Sequence, residues 1–111
     1  MESDKEQRES PRAPLKVQAE CQAGEASSVG HTQDISEGGL LVLTPDTLLP
    51  GTKMTIRFNL PPEHPRLFVE APGYVARAQA KEYMGIQFHR LTDQQREAIA
   101  KYVRQVLAGN F

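Results

Sequence analysis

The apolar pattern predicts an α+β, mainly β, domain: a small six-stranded antiparallel β-barrel with a C-terminal α-helix and a flexible N-terminal arm. Three observations lead there. Period-two alternation recurs in short segments separated by glycine and proline turns, one terminal segment switches to helical periodicity, and the first dozen residues carry no aliphatic side chain after Met1. The chain has 111 residues, room for one domain with one modest core. Residues 1–13 are assigned to the arm and 14–108 to the barrel and helix.

The arm sets Glu2, Asp4, Glu6 and Glu9 against Lys5, Arg8 and Arg12, with nothing to anchor it to a core. Pro11 and Pro14 flank Arg12 and favour extended backbone, so the arginines face outward. From Leu15 the alternation of Leu15, Val17, Ala19 and Cys21 with polar neighbours predicts a half-buried strand, which makes Cys21 a core residue rather than a reactive thiol. Gly24-Glu25-Ala26 reads as a turn. Ser27 to Ile35 is polar, but it sits between two clearer strands, and Val29 and Ile35 share a parity; it is assigned as a strand with both pointing one way. Leu40 to Leu43 is the next strand, ended by Thr44-Pro45-Asp46.

Met54, Ile56, Phe58 and Leu60 alternate with polar residues to form the clearest strand of the chain, followed by a stiff loop over Pro61 to Pro65. Leu67 to Ala78 reads as a long strand bent at Pro72-Gly73, with Val69, Ala71 and Val75 on one side. Lys81-Glu82 turns the chain into a closing strand, Tyr83 to Phe88. Thr92 with Gln95 forms a capping box, and Asp93 suits the first turn of a helix. Ile99, Tyr102, Val103, Val106 and Leu107 then make one apolar stripe directed at the sheet, and Gly109 stops the helix.

Composition excludes several partners. The formal net charge is -1, so there is no bulk attraction to DNA or to anionic lipid, and any anion must be held by local placement. The terminal helix sets Arg96, Lys101 and Arg104 beside Glu97 and needs its apolar stripe for packing, which argues against reading DNA. No run approaches the roughly 20 apolar residues that span a bilayer, and Met1-Glu2-Ser3-Asp4 opens nothing like a signal peptide. Cys21 is the sole cysteine, which rules out an intrachain disulfide and favours a reducing compartment. A cytoplasmic protein without membrane insertion is expected.

The stretch that carries chemistry is Asp34-Ile35-Ser36-Glu37-Gly38-Gly39, a polar turn that feeds directly into the apolar Leu40-Leu41-Val42-Leu43. Asp34 can accept two donors, Ser36 offers a hydroxyl, and glycine permits close backbone approach, so such a turn can hold a ligand. The same residue types also serve ordinary turn chemistry by bonding to nearby backbone.

Arg8-Glu9-Ser10-Pro11-Arg12, then Asp34 to Gly39, then Gly85-Ile86-Gln87-Phe88 ahead of a helix together resemble the PilZ domain family. They match that family's RxxxR and [D/N]xSxxG signatures in order, over roughly residues 8 to 107. The resemblance implies a six-stranded barrel with a C-terminal helix, a bacterial source and the second messenger cyclic di-GMP as ligand, with no cofactor. It also implies roles for Arg8, Arg12, Asp34, Ser36 and Gly39. Asp34 would accept from guanine N1 and N2, Ser36 would contact base or phosphate, and Gly39 would keep the surface open. The arginines would grip phosphate or the guanine O6/N7 edge, or stack on a base, across the roughly 13 Å that four extended residues span. One departure bears on affinity and ligand number: Gln7 and Glu9 flank Arg8 where many members carry adjacent basic residues.

The resulting expectation is a stand-alone cyclic di-GMP effector whose arm orders over the ligand and passes the signal to a protein partner, with motility, adhesion or polysaccharide export as output. The alternative is a PilZ-like interaction or scaffold module that binds no nucleotide. An enzyme is disfavoured, because His31, His64 and His89 lack metal-ligand spacing and nothing resembles a nucleophile with its base. The sequence sets neither the partner nor the oligomeric state.

Overall fold

The fold has seven antiparallel strands and one helix, the six predicted strands and an additional one, β1, at the end of the predicted arm: β1 (Ala13–Pro14), β2 (Gln18–Ala23), β3 (Ala26–Ile35), β4 (Gly39–Leu43), β5 (Lys53–Leu60), β6 (Leu67–Gln79), β7 (Tyr83–Phe88) and α1 (Asp93–Leu107). The structure, a computed structural model, describes residues 10–61 and 67–109. Arg8, the rest of the arm through Glu9, and the loop residues Pro62 to Arg66 with His64 lie outside the described residues. The strands run in the order β3-β2-β5-β6-β7-β4, and β4 pairs back to β3, so six strands close into a barrel; β1 is a short extra strand on β3. Closure leaves these strands without a long free edge.

The alternation read from the sequence fills the interior. Ile56, Phe58, Val69, Val75, Met84 and Ile86 point inward, with the Phe58 and Phe88 rings stacked at 6.4 Å. Outside, Arg57 of β5 pairs with Glu70 of β6 at 2.6 Å and approaches Glu20 of β2 at 3.7 Å, in register across three strands. The predicted turn at Gly24-Glu25 is a two-residue hairpin, with Gly24 at φ +61. Cys21 is fully buried in the core, and burial, with the neighbouring Glu20 charge, pushes its thiol up to about 12.

α1 begins as expected, with both halves of the Thr92–Gln95 capping box formed, and ends with Gly109 at φ +75. Ile99, Tyr102 and Val103 join the core, and the Tyr102 hydroxyl donates to the Pro14 carbonyl at 2.7 Å, tying the helix to β1. Burial raises the Tyr102 phenol above its ordinary value. Leu107 corrects the predicted stripe: it is exposed, because it lies at the last turn, beyond the end of the barrel contact.

Two further corrections concern register. The strand predicted from Leu15 begins only at Gln18, as β2, because residues 15–17, which link it to β1, carry one residue more than β3 opposes to them. Thr32 bridges the irregular link: its buried hydroxyl accepts from Val17 N–H at 3.0 Å and donates to the Leu15 carbonyl at 2.5 Å. In β3, Val29 and Ile35 do not point the same way. The register shifts between Thr32 and Asp34, so Ser28, Gly30 and Thr32 face inward, Val29 is exposed, and Ile35 is buried. β6 is one long strand through Pro72-Gly73, as expected. Its pairing with β5 runs through both residues in one register, and the irregularity lies between Val75 and Arg77, on the β7 side.

Candidate functional site

The β3–β4 turn is built by its own side chains. Ser36 N–H donates to the Gly39 carbonyl at 2.8 Å, Gly38 N–H donates to Ser36 Oγ at 3.1 Å, and Phe88 N–H donates to the Gly38 carbonyl at 2.9 Å. The turn is therefore fixed to itself and to the end of β7. Gly39 is required by close approach: a Cβ there would fall on the Ile86 carbonyl oxygen and lie 3.1 Å from Gln87 Cα. Its absence lets β4 close on β7.

β1 brings the arginine. Ala13 pairs with Ile35 and Pro14 with Asp34, and one further step in that register sets Arg12 opposite Ser36. Because Ala13 and Ile35 are both buried, Arg12, Pro14, Asp34 and Ser36 share the opposite side. The Arg12 guanidinium donates through Nε at 2.9 Å and Nη2 at 2.6 Å to Asp34 Oδ1, and through Nη1 at 3.1 Å to Ser36 Oγ. The pair is substantially exposed, so it contributes at most about 1 kcal/mol to stability. Its value is geometric. Three of the five guanidinium N–H groups are used, which leaves two for a ligand, and among the described residues Asp34 Oδ2 accepts no hydrogen bond.

These groups rim an open depression of about 440 Å³ on the outer face of the barrel. Its floor follows one row across the sheet: Asp34 pairs with Leu41, Leu41 with Gly85, and Gly85 with Arg77. Four adjacent strands at about 4.8 Å spacing separate the two ends of the row by roughly 14 Å. Gly39 and Gln87 form the next row. Of the residues singled out in the sequence, Arg12, Asp34, Ser36 and Gly39 meet here, and Arg8 lies outside the described residues.

Arg77, Gly85 and Gln87 line the depression as well; Gly85 and Gln87 entered the sequence reading only as part of the resemblance, without a site role, and Arg77 not at all. A signal for Arg77 was present. It shares the parity of Val69, Ala71 and Val75, so an unbroken strand would bury it, and an arginine at a buried position signals a bulge. The shift around Ala76 turns it outward onto Gly85.

Among the described residues no group of three or more His, Cys, Asp or Glu is placed to hold a metal, and no helix is long and apolar enough to cross a membrane. The family profile described as PilZ domain matches residues 6–105. The chain belongs to the PilZ domain family. Solved structures with the same fold include the Bacillus subtilis inhibitor of motility MotI/DgrA, at TM-score 0.82 and 19% identity, over 92% of this PilZ chain and 52% of that one. The PilZ domain of Escherichia coli YcgR, solved with c-di-GMP, aligns at TM-score 0.73 and 10% identity over 93% of each chain. The Borreliella burgdorferi PlzA protein in complex with c-di-GMP aligns at 0.61 and 18%, over 92% of this chain and 43% of that one. The PilZ chain thus spans about half the length of the motility inhibitor it matches. Comparison with curated proteins gave no match.

Proposed function

We propose that this PilZ domain is a cyclic di-GMP receptor whose site is the depression rimmed by Arg12, Asp34, Ser36 and Gly39. The observation that carries the reading is the Arg12–Asp34 pair, which presents two spare guanidinium N–H groups beside a carboxylate oxygen with no partner among the described residues. A guanine offers the complementary set: N1–H and N2–H donate to the carboxylate, while O6 and N7 accept from the guanidinium. The ligand's phosphates are a second target for the same arginine, and the row of strands gives a compact ring with two bases a floor to lie on. Similar folds in YcgR and PlzA were solved with this nucleotide, which supports the reading.

In the bound state the segment preceding Ala13 closes over the nucleotide and brings Arg8 onto it, which creates a surface for a protein partner in the cytoplasm. The output belongs to motility, adhesion or polysaccharide export, as family membership implies. Calorimetric titration of the purified chain with cyclic di-GMP tests this directly. Binding is expected in the wild type, and Arg12→Ala should weaken it by about tenfold to a hundredfold or more with an unchanged circular dichroism spectrum, since a charge-assisted contact is worth about 1.5–3 kcal/mol. No heat and no thermal shift at high micromolar nucleotide would overturn the reading in favour of an interaction module that binds no nucleotide.

A further inference from the structure

The far end of the depression holds a second guanidinium that no signature accounts for. Arg77 lies at the opposite end of the strand row from Asp34, and among the described residues no carboxylate pairs with it. Two features shape its position. Gly85 lies directly beneath: a Cβ there would come within 3.1 Å of Arg77 Cγ and 3.3 Å of Nε, so the side chain runs along bare backbone. The guanidinium carbon sits 5.5 Å over the centre of the ring of Tyr83, which lies on β7 two residues before Gly85. A cation with no carboxylate partner among the described residues, a ring against one face and solvent at the other, is arranged to receive a flat group rather than to neutralise an acid.

We propose that Arg77 is a base-stacking platform, on whose outer face one guanine of the bound dinucleotide lies, in a sandwich of Tyr83, guanidinium and purine. This rests on the nucleotide reading above and deepens it. The ligand has two bases, and the Arg12–Asp34 pair serves the hydrogen-bonding edge of one of them. The second base, about three strands away, meets no edge-reading carboxylate among the pocket residues; it meets Leu41, Gly85 and Arg77. A delocalised, weakly hydrated guanidinium stacks on a purine, whereas an ammonium does not. Tyr83 acts as a positioning residue, holding the platform level.

Calorimetric titration of the full chain with cyclic di-GMP, comparing wild type with four variants, tests the assignment. Arg77→Ala and Arg77→Lys should both weaken binding about tenfold or more, with the thermal midpoint of the free protein unchanged because Arg77 is exposed. Tyr83→Leu should weaken binding several-fold, and Tyr83→Phe, which keeps the ring, should bind as wild type does. Affinity of Arg77→Lys within twofold of wild type would mean that charge on a phosphate, not stacking, is the contact, and the proposal would fall. Unchanged affinity in Arg77→Ala, in a protein whose binding Arg12→Ala weakens about tenfold or more, overturns it while leaving the receptor reading intact. A wild type that binds no nucleotide sinks both.

Discussion

Thr32→Val removes one oxygen from the core and should cost far more than its size suggests. Thr32 is 1% exposed, and its hydroxyl is the only partner, among the described residues, for both Val17 N–H and the Leu15 carbonyl. Valine fills nearly the same space, so no cavity term arises and the whole cost is two backbone groups left without partners. At about 1–3 kcal/mol for each group, with Val17 half-buried and partly reachable by water, the sum is about 3 kcal/mol. A domain of this size has a total stability of roughly 5–15 kcal/mol, so the midpoint of thermal unfolding should fall by more than about 10 °C. Thr32→Ser keeps the hydroxyl and loses one methyl, and should cost about 1 kcal/mol. Urea unfolding followed by far-ultraviolet circular dichroism measures both variants. The link at 15–17 returns the chain to β3 in the register that sets Arg12 opposite Ser36, so Thr32→Val should also weaken nucleotide binding without touching the site. A valine variant within 0.5 kcal/mol of wild type, taking this as roughly the size of an ordinary surface substitution, would show that the hydroxyl does not carry the link.

Two more predictions concern residues whose roles are structural. Gly39→Ala forces a methyl onto the backbone of Ile86 and Gln87, neighbours that cannot rotate away, so it should lower stability by about 3 kcal/mol in a denaturant titration as well as impair binding; a variant of wild-type stability would return Gly39 to a purely ligand-facing role. Cys21 should resist thiol labelling in the folded state at neutral pH. Because its folded value is raised, from 9.0 to about 12, the stability it confers is fully present below pH 9 and declines as the pH rises toward 12, where the unfolded chain loses a proton that the folded one keeps. The difference from Cys21→Ala should shrink by on the order of 1 kcal/mol per pH unit over that window, and a pH-independent difference would contradict the burial argument.

Most of the barrel was legible because one buried face imposes a period of two, and β5 and β7 show it residue by residue. Legibility failed where a strand changes faces. β3 buries Ser28, Gly30 and Thr32 in its first half and Ile35 at its end, and no alternation of apolar types can reveal a face made of hydroxyls and hydrogen. Pro72-Gly73 suggests a bend by residue type; the pairing with β5 runs through it unshifted, and the bulge lies at Ala76, whose side chain announces nothing. Leu107 satisfies the helical stripe by spacing but lies past the surface that the stripe covers.

The candidate site divides along the same line. Local order along the chain determined the polar turn from Asp34 to Gly39, the arginine upstream of it and the family to which they belong, because a turn's chemistry is written in consecutive residues. Only the tertiary structure decided that Arg12 would rest on Asp34 and Ser36, since that contact depends on the register of β1 against β3. Only it placed Arg77 on Gly85 at the other end of the same row. A one-residue shift moves a side chain from the core to the surface, and the free energy that selects the shift resides in hydrogen bonds between strands distant in sequence.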